Sequence, residues 1–293
     1  MSSFALRNGV ELPFAPPKRV QPIIGCQVDM AYDPAPATEK PRAPAALVLL
    51  AQNERGYENL MVLNSCLYLD RDGTLPQVQM AQLAAHAEGV ICLTGGPNGP
   101  LGKLLQNGQT GKAQALLEGL AQAFGDRLYV ELQRHPSEDG RMPDAERLSE
   151  RGLVEMAYAM DLPLVATNDV YFPKPEIYEA HDALICIAEG SYVDQQGPRR
   201  RLTPQHYLKS PAEMAVLFAD LPEALENTVE IARRCAFKAY TRDPILPKFA
   251  DDEVEELRRQ SNEGLARRLA VIPHAVSPEA YQKRLDFELD IIE

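Results

Sequence analysis

Two stretches decide the fold class: Leu128-Tyr-Val-Glu-Leu-Gln-Arg-His135 and, one helical segment later, Pro163-Leu-Val-Ala-Thr-Asn-Asp169. Each is a short apolar run that stops abruptly at polar, ligand-capable residues. An apolar run flanked by helical segments predicts a parallel strand buried on both faces. In α/β folds, function gathers at the carboxyl ends of such strands. The pattern recurs where Ile23-Ile24-Gly25-Cys26 runs into Gln27 and Asp29, and where Val90-Ile-Cys-Leu93 runs into Thr94-Gly95-Gly96. Four strand ends thus carry polar or glycine-rich tips, as the rim of an α/β enzyme would.

Working outward, Ala45-Ala-Leu-Val-Leu-Leu-Ala51 adds a fifth strand, giving strands near 20–28, 45–51, 89–94, 128–132 and 163–167. Helical segments are expected near 54–67, 76–87, 110–124 and 144–160, and this alternation predicts an α/β architecture with a mainly parallel sheet. Beyond Tyr171 the pattern is helical only. Ser210-Pro211-Ala212-Glu213 reads as a capping box with proline at the first helical position, and Asp220-Leu-Pro-Glu223 repeats the device. After it, Leu221, Ala224, Leu225, Thr228, Val229 and Ala232 share one face of a helix running to about Cys235. Residues 237–252, with Pro244 and Pro247, read as a linker, and helices follow near 252–270 and 278–293, the latter capped by Ser277. The domain organisation expected is therefore 1–236 and 237–293. Tyr281, Leu285, Leu289 and Ile292 keep helical spacing up to Glu293 without a stop signal, and Ser2 to Arg19 offers little that could form a first strand. The chain is expected to be cut at both ends.

Composition sets the outer limits. A chain of 293 residues, 45% hydrophobic and 25% charged, can bury a full-sized core. No stretch approaches the roughly 18 uninterrupted apolar residues of a membrane span. The opening Met-Ser-Ser-Phe-Ala-Leu-Arg-Asn lacks the layout of a signal peptide. The five cysteines are odd in number and scattered, with no CxxC spacing, so they read as buried thiols of a cytoplasmic protein. A net charge of −12 argues against this chain gripping a nucleic-acid backbone.

Several stretches together resemble one family. They are Ile23-Ile-Gly-Cys26, Leu47-Val-Leu-Leu-Ala-Gln-Asn53 with Gly56-Tyr-Glu-Asn-Leu60, Pro163 to Asp169, Ala180-His-Asp-Ala-Leu184, and Leu217-Phe-Ala-Asp-Leu-Pro-Glu-Ala-Leu-Glu-Asn-Thr228. This set resembles the N-terminal polymerase and histidinol phosphatase (PHP) region of bacterial replicative DNA polymerase III alpha subunits, and Tyr281 to Ile292 resembles the lead-in to the palm. The resemblance implies a distorted (β/α)7-type barrel, incomplete at its N-terminus, followed by C-terminal helices leading toward the palm. It also implies a parent enzyme that polymerises DNA from dNTPs with magnesium.

Departures from the family pattern carry equal information. Relatives with a working metal site supply a His-x-His pair on the first strand and an Asp-His in the next turn. The five histidines here, His86, His135, His181, His206 and His274, form neither motif. The glutamate expected after Gly-Cys is Gln27, and the histidine expected two residues after Asp169 is Tyr171. His135 and Asp169 are the matched ligands that remain, so Gln27, His135, Asp169 and Tyr171 read as vestigial ligand positions. A catalytic metal site needs at least three protein ligands, and an amide and a phenol replace glutamate and histidine poorly. Asp29, on the strand face of Gln27, is a carboxylate that could compensate in part. No catalytic residue, metal or cofactor is therefore assigned to this segment.

The remaining polar features have simple structural readings. His86, His181 and His206 read as satisfied core or helix residues. Thr94-Gly95-Gly96-Pro97-Asn98-Gly99 lacks the lysine and hydroxyl of a phosphate-binding loop and reads as a turn. Arg199-Arg200-Arg201 reads as a solvated loop. The function expected is a catalytically degenerate PHP module of a DNA-directed DNA polymerase, acting as scaffold and docking site for the proofreading exonuclease subunit, within reach of other replisome subunits. DNA would be contacted by the parent polymerase and not by this segment, and no membrane is involved. The alternative is a metal-dependent phosphoesterase or 3′–5′ exonuclease of the PHP superfamily.

Overall fold

The computed structural model describes residues 20–33, 44–69, 75–137, 139–244 and 246–292. The expectations resting on Ser2 to Arg19 and on Glu293 lie outside them. The chain divides into two compact units, Met1–Ala239 and Tyr240–Glu293.

Five strands form one sheet in the order β1-β2-β3-β4-β5: Gly25–Met30, Ala45–Ala51, Val90–Leu93, Leu128–Gln133 and Leu164–Thr167. The expectation of a mainly parallel sheet is met in part: β1, β3, β4 and β5 run in one direction, but β2 is reversed and pairs antiparallel with both β1 and β3. An apolar run shows that a strand is covered, and covering by helices is blind to strand direction. What is established is a mixed five-stranded α/β sheet with surrounding helices. β1 also begins later than expected, at Gly25, and reaches Met30.

Alternation along β2 shows how the sheet is sandwiched. Ala45, Leu47, Leu49 and Ala51 are buried on one face, in a core built with α1 (Glu54–Leu69), α3 (Pro100–Gln106), α4 (Thr110–Phe124) and α5 (Asp144–Ala159). Leu63, Leu101, Leu117, Leu120, Phe124 and Leu153 fill that core, each at 1% exposure or less. Val48 and Leu50 face the other way, against a smaller cluster of Ile91, Leu93, Tyr129 and Val165 closed by Ile231 of α8 (Pro222–Arg234) and by Cys235 just after it. Asn227 of α8 donates to the Leu164 carbonyl at 2.8 Å, tying that helix to β5. At about 25 cal/mol per Å² of apolar surface, this two-sided burial is the main stabilising term.

Two helical expectations are corrected. The helix expected over 76–87 is confined to α2, Met80–Ala85. Upstream of it, Val78 pairs with Met30 in an isolated parallel bridge, its N–H donating to the Asp29 carbonyl at 2.8 Å. Pro76 and the β-branched Val78 favour this extended course. Asp220 does not cap α8, whose N-cap is Leu221; the Asp220 carboxylate instead binds Arg134 at 2.6 and 2.8 Å. The Ser210 capping box on α7 (Pro211–Leu217) is present in both directions. In the second unit, Asp252 caps α9 (Glu253–Val271), and α9 is joined to α10 (Pro278–Ile292) by Arg258–Asp290 at 2.7 Å. Among the described residues, no helix is long and apolar enough to cross a membrane.

Candidate functional site

Along β4 and β5 the residues facing the small cluster recur every second position, so apolar side chains low on the strands give way to polar ones at the carboxyl ends. Tyr129 leads to Glu131 and Gln133, and Val165 leads to Thr167 and Asp169. Because β2 runs antiparallel, it offers Ala46 and Val48 from its amino half, beside Gln27 of β1 and Gly95 after β3. These groups line a cleft of about 460 Å³ whose far wall is Tyr171, Arg200, Arg201, Leu202, Thr203 and His206.

Glu131 is the deepest charged group, 2% exposed at the centre of the sheet. It accepts from the Gly95 N–H at 2.9 Å, the Thr167 hydroxyl at 2.5 Å and Gln133 Nε2 at 3.2 Å. Burial pushes its carboxyl up from the usual range, and the hydrogen bonds from Thr167, Gly95 and Gln133 oppose that shift. Thr94, fully buried, accepts from the Glu131 N–H at 2.9 Å. Gly95 sits at φ +79°, and a Cβ there would lie 2.0 Å from the Ala46 carbonyl oxygen. The Thr94-Gly95-Gly96 loop therefore directs its groups to Glu131 and the sheet.

His135 and Glu146 form the second layer. The His135 N–H donates to Glu146 Oε2 at 2.8 Å, and its ring Nδ1 lies 2.7 Å from Oε1. Glu146 stands in the first turn of α5, where the helix N-terminus also favours negative charge. Nε2 of His135 is buried without a hydrogen-bond partner. The His206 ring stacks on the His135 ring, centroids 3.9 Å apart and planes 9° from parallel. Burial first, then the neighbouring His135, pushes His206 down to about 4. Asp169 is pushed up by burial, an effect opposed by His135, Arg200 and a hydrogen bond from Tyr171. Tyr171 in turn accepts from Arg200 Nη2 at 3.1 Å, with the guanidinium 5.5 Å from its ring centre.

Gln27, His135, Asp169 and Tyr171 are thus brought to one cleft, as a strand-end site requires. Asp29 is not among its lining residues; its backbone carbonyl is engaged by Val78. Two expectations are met only in part. His206 is buried and its Nδ1 is engaged by Thr203, but it also lines the cleft, because the chain after Leu202 returns across the carboxyl end of β4 and lays its ring on His135. Arg199-Arg200-Arg201 is a solvated loop only in part: Arg199 is buried against Asp182 at 2.6 Å, while Arg200 and Arg201 are exposed and line the cleft. His86 meets Asn59 at 3.3 Å, and His181 packs between Tyr171 and Phe172 with ring centres 5.6 and 5.5 Å away. Sequence reasoning missed Glu131 and Glu146. A charged residue inside the run Leu128-Tyr-Val-Glu-Leu132 was the available signal for the first; none pointed to the second.

The donor set does not fit a metal. Among the described residues, no group of three or more histidines, cysteines, aspartates or glutamates is arranged to hold one. Glu146 is engaged by His135, and Glu131 is buried and engaged by three donors. A dry carboxyl of that kind is a poor ligand for a divalent ion.

The PHP domain family matches residues 6–135. The DNA polymerase III subunit alpha of Caulobacter vibrioides is 51% identical over 279 residues, 93% of this chain and 24% of that protein. The Pseudomonas aeruginosa subunit is 40% identical over 285 residues, 93% of this chain and 23% of its own length. That of Rickettsia bellii is 36% identical over 293 residues, 95% and 24% respectively. The chain is therefore homologous to the N-terminal, PHP-bearing part of bacterial DNA polymerase III alpha subunits, and it spans about a quarter of the length of those relatives.

Proposed function

We propose that the chain serves as the PHP module of a replicative DNA polymerase III alpha subunit, catalytically silent in itself. On this reading the sheet belongs to a distorted (β/α)7-type barrel, and α9 and α10 lead toward the polymerase palm. The parent enzyme synthesises DNA in the cytoplasm from dNTPs with magnesium, while this module acts as scaffold and docking site for the proofreading exonuclease subunit and its replisome neighbours. The observation that carries the reading is the pairing of homology over 93% of the chain with a cleft lacking three convergent metal donors among the described residues. Hydrolysis through a metal-bound water needs at least three protein ligands with one open position. A net charge of −12 further disfavours DNA binding by this segment.

One observation favours the second reading, a metal-dependent phosphoesterase or 3′–5′ exonuclease. A histidine fixed at Nδ1 by a buried carboxylate, with Nε2 left unpartnered, is the way a metal-ligating imidazole is oriented. Elemental analysis of purified protein separates the two. The scaffold reading expects metal far below one equivalent and no nuclease activity with added manganese. Stoichiometric metal that His135→Ala removes, with nuclease activity lost alongside it, would establish the second.

A further inference from the structure

α6 (Tyr178–Glu189) is apolar on two opposite faces, and only one is covered. Its inner face buries Ile185 and Cys186 and places Asp182 against Arg199, with paired contacts of 2.6 and 2.7 Å. That bidentate pair, 4% and 8% exposed, fixes the rotation of the helix about its own axis. The outer face cannot turn inward without breaking it. On that face Ile177, Ala180, Leu184, Ile187 and Ala188 follow helical three- and four-residue spacing, and all are exposed. Leu184 is 61% and Ile187 77% exposed, with Tyr192 (74%) and Val193 (56%) just beyond the helix end. An exposed apolar patch with a polar rim marks an interaction surface.

The rim indicates what covers it. Glu176 and Glu179 flank the stripe on one side, Glu189 and Asp194 stand at its C-terminal end, and Lys174 precedes its N-terminal end, all exposed. A second copy of this chain would set those carboxylates against their own images, a like-charge arrangement that disfavours the pairing. We propose that the outer face of α6 docks an amphipathic segment of a partner protein, one carrying an apolar ridge between basic side chains. The inference rests on the docking role proposed above and assigns it a surface away from the His135 cleft. Leu184 and Ile187 act as the central anchors, and the acidic rim selects the partner's charge and speeds the encounter.

The test is a calorimetric titration of the full chain with the proofreading exonuclease subunit of the same organism, at low and high salt. Wild-type protein is expected to bind, more weakly as salt rises. The Leu184→Ser/Ile187→Ser double variant and, separately, Ala188→Arg and Glu179→Lys should each weaken binding by at least about tenfold. Thermal melts of these variants should match wild type, since the altered side chains are exposed. Wild-type affinity in the double variant and in Ala188→Arg would overturn the surface while leaving the docking role intact. Absence of any complex at about 50 μM wild-type protein would overturn the role itself, and this inference with it. Self-association abolished by the same substitutions would give the stripe to a second copy, against the charge argument.

Discussion

The His135 imidazole and the Glu146 carboxylate lie 2.7 Å apart, at 1% and 5% side-chain exposure, and the same carboxylate also holds the His135 backbone N–H. One buried side chain thus pins both the strand end of β4 and the ring it carries, 11 residues away in sequence. A buried carboxylate is tolerated only where donors satisfy it, and here both oxygens are used.

Glu146→Ala should destabilise the protein by about 2–4 kcal/mol, because it leaves a buried N–H and a buried ring nitrogen without an acceptor. Glu146→Gln keeps one acceptor oxygen and should cost less. Urea denaturation monitored by circular dichroism measures both; equal stability of Glu146→Ala and wild type would show that the pair holds nothing in place.

His206 gives a definite pH response. Its folded pKa is pushed down to about 4 from an ordinary value of 6.5. Between those values the unfolded chain binds the proton and the folded chain does not. Stability is therefore retained above about pH 6.5, lost as pH falls toward 4, and no further lost through this group below that, for a total of about 1–3 kcal/mol. Glu131 and Asp169, pushed up by burial, act in the opposite sense, since their folded forms hold protons the unfolded chain has released. The comparison that isolates His206 is the difference in denaturation midpoint between wild type and His206→Gln at pH 7 and pH 5. The advantage of wild type over the variant should shrink at the lower pH.

Arg134 links three elements. Its guanidinium reaches Glu150 of α5 at 2.6 Å, Asp220 at 2.6 Å and the Leu217 carbonyl at 2.8 Å, and lies 4.7 Å from the Phe218 ring centre. Arg134→Ala should cost about 2–3 kcal/mol, less than a fully buried network, because Asp220 is 62% exposed. Arg134→Lys should recover little of it, since an ammonium cannot span both carboxylates and stack on the ring. Thermal or chemical denaturation of the pair of variants decides this.

Gly95→Ala should destabilise by about 2–4 kcal/mol, combining a left-handed backbone with a methyl 2.0 Å from the Ala46 carbonyl oxygen. Gly108→Ala is the control. Its φ of +68° is similar, but its Cβ would meet nothing within 4 Å, so only the backbone strain of about 1 kcal/mol remains. A melting-temperature series of the two variants separates strain from collision.

The apolar runs at 45–51, 128–132 and 163–167, the helices at 110–124 and 144–160 and the capping box at Ser210 were legible by themselves, because each depends on neighbours within a few residues. So was the placing of His135 and Asp169 just past the ends of β4 and β5, whereas Gln27 lies inside β1; the matches that carry the homology were legible too. Tertiary structure alone decided the rest. The reversal of β2 leaves no trace in hydropathy, since a strand covered by helices reads the same either way. The meeting of His135 with Glu146 and His206, and of Arg199 with Asp182, joins residues that share no periodicity. A buried charge must find its partner wherever packing brings one, and that choice is made by the assembled core, not by any local stretch of chain.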